Sequence, residues 1–243
     1  MKHLNINFFR GLKIGLILII PLIFFSGKWW ISQNVENKQI REFHTEKGST
    51  MAIFYAGDGG WRDFSIHICN FLQKNQVSTL GINTISYFWN EKPPEICARD
   101  LERFITNYKQ KWHNDKVILV GYSFGADVIP RIVANLDKNI RKNIQGIILI
   151  APSHYAQFEI KIMNLLFEPK QGKPVLPDIK KIKEIPTFLI CDDTDNSLCP
   201  ELNDSTVKSV VVPGGHHFKF NYNVINSLII NKINEFSNKP IAR

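Results

Sequence analysis

KVILVGYSFGADVIP, residues 116–130, is the stretch whose reading decides the fold. Its first five residues, KVILV, make a short apolar, β-branched run of the kind a fully buried strand shows. Gly121-Tyr122-Ser123-Phe124-Gly125 follows at once, and residues 126–136 read as helix. Strand, G-x-S-x-G, helix is the context that gives this pattern meaning. The serine sits on a sharp, strained turn, and the flanking glycines leave the room that the turn needs against the sheet. Such a turn lifts the hydroxyl out of the sheet edge and aims a helix N-terminus at whatever binds there. Outside that context the same five residues are an ordinary β–α turn.

Working outward, the flanking sequence repeats the alternation. Strands are expected at residues 51–56 (MAIFYA), 77–86, 146–150 (GIILI), 187–191 and 207–212, with an edge strand near 41–44 and a half-exposed strand at 158–162. Helices are expected at 63–73, capped by Asp63, at 94–112, opened by Pro93 and Pro94, and at 222–236. Strands alternating with helices define an α/β domain whose mostly parallel sheet is covered on both faces. Ligands in such sheets bind beyond the carboxyl ends of the strands. The segment from 158 to 185 is the only room for a lid, so little or no lid is expected.

The 243 residues suffice for one such domain and a small addition, which begins the chain. Lys2, His3, Arg10 and Lys13 precede an apolar run over 14–25, and Trp29 and Trp30 follow it. This pattern predicts a signal anchor over 1–31, with a cleaved signal peptide as the alternative. A polar linker over 32–47 then leads to a domain over 48–243. The formal net charge is +8, but the basic residues are scattered and argue against a nucleic-acid interface. Four cysteines permit two disulfides in an exported chain. Cys191 and Cys199 flank a short loop and are placed to bridge, whereas Cys69 and Cys97 fall in helices, where buried free thiols are at least as fitting.

A serine hydroxyl needs a base to remove its proton, and the base needs a third group to hold it. On a strand–elbow–helix scaffold the acid and then the histidine follow the serine in the chain. Asp192-Asp193-Thr194-Asp195 follows the strand at 187–191, and Asp195 lies at the usual offset for the acid, with Asp193 as the alternative. Pro213-Gly214-Gly215-His216-His217-Phe218 follows the last strand. Neighbouring residues of an extended segment point opposite ways, so one histidine faces Ser123 and the other shapes the pocket. The glycine-rich turn Gly57-Asp58-Gly59-Gly60-Trp61 after an early strand frees backbone N–H groups of the kind that stabilise an oxyanion. No cysteine or histidine cluster has metal-ligand spacing, and no glycine fingerprint for a nucleotide cofactor is present.

Together with Tyr87-Phe88-Trp89, Pro94 and Asp127, the 57–61, 121–125 and 213–218 blocks make the chain resemble the bacterial virulence protein VirJ/AcvB family of α/β-hydrolases, in its single-domain form, over roughly residues 48–237. The resemblance implies a periplasmic serine hydrolase without a cofactor, acting on a membrane phospholipid, the aminoacyl ester lysyl-phosphatidylglycerol. It also implies a tie to virulence and type IV secretion components, and so the rival of a protein-interaction role; a general carboxylesterase or lipase is the other alternative. Resemblance to hydrolases in general makes the second histidine the base. The expected constellation is therefore Ser123, His217 and Asp195, with the N–H groups of Asp58 and Phe124 as oxyanion hole and Asp58 and His216 as substrate contacts. The chain departs from the family at Cys191-Asp192, where a Tyr-Gly-like pair is expected.

Overall fold

Side-chain alternation divides each central strand between two cores. In β2 (Thr50–Tyr55), Met51, Ile53 and Tyr55 face one core while Ala52 and Phe54 face the other. In β4 (Lys116–Tyr122), Val117 and Leu119 oppose Ile118, Val120 and Tyr122 in the same way. A strand with both faces covered reads as a continuous apolar run, which is why the sequence shows its central strands as blocks. The computed structural model describes residues 39–160, 172–199 and 207–238. The expected signal anchor and residues 32–38 of the linker lie outside the described residues.

Seven strands form one sheet in the order β1-β3-β2-β4-β5-β8-β9. β1 (Ile40–Phe43) runs antiparallel to β3 (Val77–Ile82) at one edge, and the other neighbours are parallel, including β5 (Ile144–Ile150), β8 (Thr187–Cys191) and β9 (Lys208–Val211). β1 is the edge strand expected near 41–44, and the sheet therefore begins inside the stretch assigned to the linker. Phe43 accounts for this, because it buries its ring in the core and stacks edge-on against Trp61.

One face of the sheet is covered by α3 (Pro94–Trp112), α4 (Phe124–Ala134) and α6 (Leu176–Lys181), the other by α1 (Asp63–Lys74) and α7 (Tyr222–Ser237). Two short helices, α2 (Thr84–Tyr87) and α5 (Lys138–Arg141), complete the set among the described residues. Asp63 is the first residue of α1 rather than its cap; Arg62 holds the cap position without a side-chain bond. The strand expected over 77–86 stops at Ile82, because the chain turns there into α2 and the Thr84 hydroxyl bonds the Gly57 carbonyl. Residues 158–160 are not a strand. The small antiparallel pair is instead β6 (Tyr155–Ala156) with β7 (Lys173–Pro174), and residues 161–171, which hold the rest of the expected strand and part of the room for a lid, lie outside the described residues. A buried Asp178 on α6 accepts from Arg131 of α4 at 2.6 Å and from Lys181 at 3.0 Å, pinning α6 to the helix that leaves the elbow.

Candidate active site

Backbone crowding builds the elbow. A Cβ on Gly121 would come within 2.6 Å of the Gly125 backbone, and one on Gly125 would collide with the Tyr55 carbonyl oxygen. Both positions therefore need glycine, so that β4, β2 and the start of α4 can close on one another. Between them Ser123 takes φ 52° and ψ −120°, a conformation an L-residue holds only when its surroundings impose it. The N–H of Ser123 is tied to the Ile150 carbonyl of β5 at 2.8 Å, which fixes the strained residue to the sheet.

The histidine that meets it is His216. Its Nε2 lies 2.7 Å from Ser123 Oγ, and its Nδ1 lies 2.8 Å from Asp192 Oδ2. The His216 side chain is 40% exposed and that of Asp192 3%, so the imidazole is open to a ligand while its carboxylate partner is sealed. The other Asp192 oxygen accepts from the Thr194 hydroxyl at 2.7 Å and its N–H at 3.2 Å, leaving the carboxylate one orientation. Cys191, directly before it, is bridged to Cys199, and that disulfide closes the acid loop on itself.

Two expected positions are thus corrected. His217 does not meet Ser123. Its Nδ1 lies 2.6 Å from the Tyr122 hydroxyl, and its ring stacks on Phe220. The loop is not the extended segment the alternation argument assumed: Gly214 and Gly215 have φ 121° and 70°, and three further residues with positive φ follow from Phe218 to Phe220. Those turns swing His216 inward. Asp195 is exposed and meets neither histidine, because the chain bends at Asp192 instead of running on past the strand. Asp193, the alternative, has another task. Its carboxylate accepts from the N–H groups of Gly214 (3.2 Å) and Gly215 (2.7 Å), and these bonds hold it below its ordinary pKa. Sequence reasoning misses Asp192, although its place directly after a buried strand is the available signal.

The Gly57–Gly60 turn lies beside the elbow: a Cβ on Gly57 would stand 3.5 Å from Ser123 Cβ. The turn is closed by the Gly60 N–H bonding the Gly57 carbonyl at 2.9 Å, and Gly60 has φ 63°. Asp58 is exposed at its tip. Phe124 opens α4, where the first N–H groups of a helix have no partner within the helix. Its ring packs edge-on against buried Phe88, which in turn meets Phe158. Among the described residues no group of three or more His, Cys, Asp or Glu side chains is arranged to hold a metal ion.

Sequence reasoning also missed the role of Asp127 in the first turn of α4. It is buried and accepts from the Ser153 N–H and hydroxyl, both at 2.7 Å. Burial is the main cause that pushes its carboxyl up to about 7, with the Asp58 charge adding to it. Ser153 bridges to Ser197 in the acid loop, so Asp127 ties the elbow helix to the loop that carries Asp192.

A parallel sheet, a strained serine on a strand–helix turn and a histidine returning from beyond the last strand define an α/β-hydrolase fold. Solved structures agree in fold. MenH from S. aureus aligns at 15% identity and TM-score 0.59 over 83% of this chain and 100% of its own. An esterase of Pyrococcus furiosus aligns at 15% and 0.57 over 81% and 84%, and Est1E from Butyrivibrio proteoclasticus at 13% and 0.52 over 78% and 90%. No curated protein matches the chain. The family model of the bacterial virulence protein VirJ matches residues 49–237, and the chain belongs to that family.

Proposed function

We propose that the chain is a serine hydrolase of carboxylic esters, and the continuous contact Asp192–His216–Ser123 carries the reading. Ser123 Oγ attacks the ester carbonyl while His216 Nε2 takes its proton. Asp192 holds the Nδ1–H and stabilises the imidazolium that forms. Negative charge building on the carbonyl oxygen is met by the N–H groups of Phe124 and Asp58. His216 then gives its proton to the leaving alcohol, and water, activated by the same imidazole, frees the acid from Ser123.

The substrate we propose is an aminoacyl ester of phosphatidylglycerol, lysyl-phosphatidylglycerol in the first place. Membership of the VirJ family supports it, and so does a carboxylate, Asp58, exposed on the turn beside Ser123, where it suits an ammonium group next to the scissile carbonyl. We place the activity in an exported compartment at the membrane face, because the Cys191–Cys199 disulfide fits an oxidising environment and the N-terminal residues read as an export signal.

The test compares purified protein on lysyl-phosphatidylglycerol, alanyl-phosphatidylglycerol and unmodified phosphatidylglycerol. Free lysine released by the wild type and not by Ser123→Ala is the expected outcome. Fatty acid released from phosphatidylglycerol, with the aminoacyl esters untouched, would replace this reading with that of a lipase. Failure of a fluorophosphonate to label Ser123 at all would favour an interaction protein on a hydrolase fold.

A further inference from the structure

We infer that Tyr122 and His217 form a fastening that sets His216 against Ser123, the residue before the nucleophile holding the residue after the base. The inference rests on the hydrolase reading and makes both of them positioning residues.

The loop needs fastening. From Gly214 to Phe220 it contains five residues with positive φ, three of them bulky: Phe218, Lys219 and Phe220 at 54°, 47° and 56°. Side chains at such angles do not stay there without outside constraint. Asp193 secures the beginning of the loop through Gly214 and Gly215, and Phe218 anchors it below by full burial in the core that holds Phe64. On the site side, beside the bonds of His216 to Asp192 and Ser123, a further polar tie is the Tyr122 hydroxyl.

That hydroxyl has one proton and two acceptors in reach, His217 Nδ1 at 2.6 Å and the His216 carbonyl oxygen at 3.4 Å. Burial, reinforced by the Asp58 and Asp192 charges, pushes the phenol well above its ordinary pKa, so the hydroxyl keeps its proton. In the proposed fastening the nearer acceptor takes it, and with Nδ1 accepting, His217 is the Nε2–H tautomer. The Tyr122 ring meanwhile stacks against the His216 ring, with centroids 5.9 Å apart and planes 28° from parallel. Tyr122 therefore touches both histidines, one through its hydroxyl and one through its face.

Its place in the chain gives these contacts their consequence. Tyr122 ends β4 and is bonded directly to Ser123, whose N–H is held by β5. The loop that carries the base is thus referenced to the strand that carries the nucleophile. Displacement of a reacting group by about 1 Å costs on the order of a hundredfold in rate, so such a reference has kinetic value. His217 meets Tyr122, while Ser123 is met by His216.

The test measures the rate of fluorophosphonate labelling and, on a small water-soluble ester, kcat and KM for the wild type, Tyr122→Phe, His217→Ala, His217→Asn and the double variant Tyr122→Phe/His217→Ala. Tyr122→Phe and His217→Ala are each expected to slow the reaction about ten- to hundredfold through kcat, with KM little changed. The double variant should be no slower than the singles, since one bond is lost in all three. His217→Asn should recover most of the rate, because its amide oxygen can accept the same bond. Wild-type rate in His217→Ala, multiplying losses in the double variant, or a His217→Ala protein as inert as Ser123→Ala would each overturn the fastening. Imidazole ¹H–¹⁵N spectra decide the matter without activity. The wild type should show His217 as the Nε2–H tautomer and Tyr122→Phe should lose that preference, whereas identical spectra would sink the idea. A wild type that resists the probe but shows this tautomer would refute the hydrolase reading and leave the fastening standing.

Discussion

The elbow and the returning loops reach the same point by different physics. At the elbow, residue types are dictated by backbone crowding: Gly121 and Gly125 leave no space for a Cβ, and Ser123 is forced into positive φ. The acid and histidine loops are set by side-chain ties. Asp192 turns back onto Thr194, Asp193 grips two glycine N–H groups, and Cys191 is bridged to Cys199. Crowding leaves a mark at fixed spacing in the sequence. Ties do not, because any of several carboxylates within a few residues has the right chemistry, and only the path of the chain selects one.

The largest expected effect breaks the elbow's chemistry while keeping its shape. Ser123→Ala should fold, melt like the wild type and lose ester hydrolysis by about 10⁶ in kcat, as removal of a nucleophile does when the triad acts as a unit. Residual hydrolysis above about a thousandth of the wild-type rate would place the nucleophile elsewhere.

The next effect separates the two carboxylates of the acid loop. Asp192→Asn should lower kcat by about 10⁴, since an amide holds the wrong tautomer of His216. Asp195→Asn should stay within about twofold, as expected for an exposed side chain away from both histidines. A reversal of these two would show that the acid loop rearranges when substrate binds.

The same contrast explains what was legible. The central strands, the elbow and the chain order of Ser123, an acidic loop and a histidine loop follow from local pattern, whereas the 191–199 bridge is only one possibility in the sequence. The choice of Asp195 over Asp192 failed because offset counting assumes a loop that runs straight past its strand. The choice of His217 over His216 failed because alternation assumes extended backbone, and Gly214 and Gly215 are not extended. β1 was legible only as a hint, since a four-residue edge strand with one buried residue carries almost no periodicity. Asp127 stands two residues past the elbow motif, yet its burial and its bond to Ser153 depend on a contact 26 residues away.

A smaller effect tests whether the elbow is tied to the acid loop through Asp127. Its carboxyl is raised by burial from an ordinary 3.8 to about 7. Between those values the folded chain holds a proton that the unfolded chain has released. Stability therefore falls as pH rises from about 4 to about 7, at up to about 1.4 kcal/mol per pH unit where the difference is complete. Denaturant unfolding of the wild type should show this loss between pH 5 and pH 8. Asp127→Asn, which mimics the neutral carboxyl toward Ser153, should flatten the curve and be the more stable protein at pH 8. A variant that keeps the full wild-type slope would mean that another group carries the titration.

The smallest effect tests the tie that replaces crowding in the acid loop. The Cys191–Cys199 bridge joins residues separated by 8 positions, with Cα atoms 6.0 Å apart. Closing so short a loop contributes about 2–3 kcal/mol through the entropy of the unfolded chain. Cys69 and Cys97 are buried free thiols, Cys97 pushed up to about 12 by burial, so neither is a ready partner for exchange. Reduction, or the pair Cys191→Ala and Cys199→Ala, should therefore lower unfolding stability by about that amount without scrambling. Activity should respond separately. Asp192 follows the bridged cysteine directly, while its own bonds to Thr194 and His216 remain when the bridge opens. A modest fall in kcat, several-fold rather than thousandfold, is expected, with wild-type labelling at saturating fluorophosphonate. Loss of labelling comparable to Asp192→Asn would show that the disulfide, and not the hydrogen bonds around Asp192, sets the acid's position. An unchanged kcat with the stability loss intact would confine the bridge to holding the fold and leave the acid's orientation to Thr194.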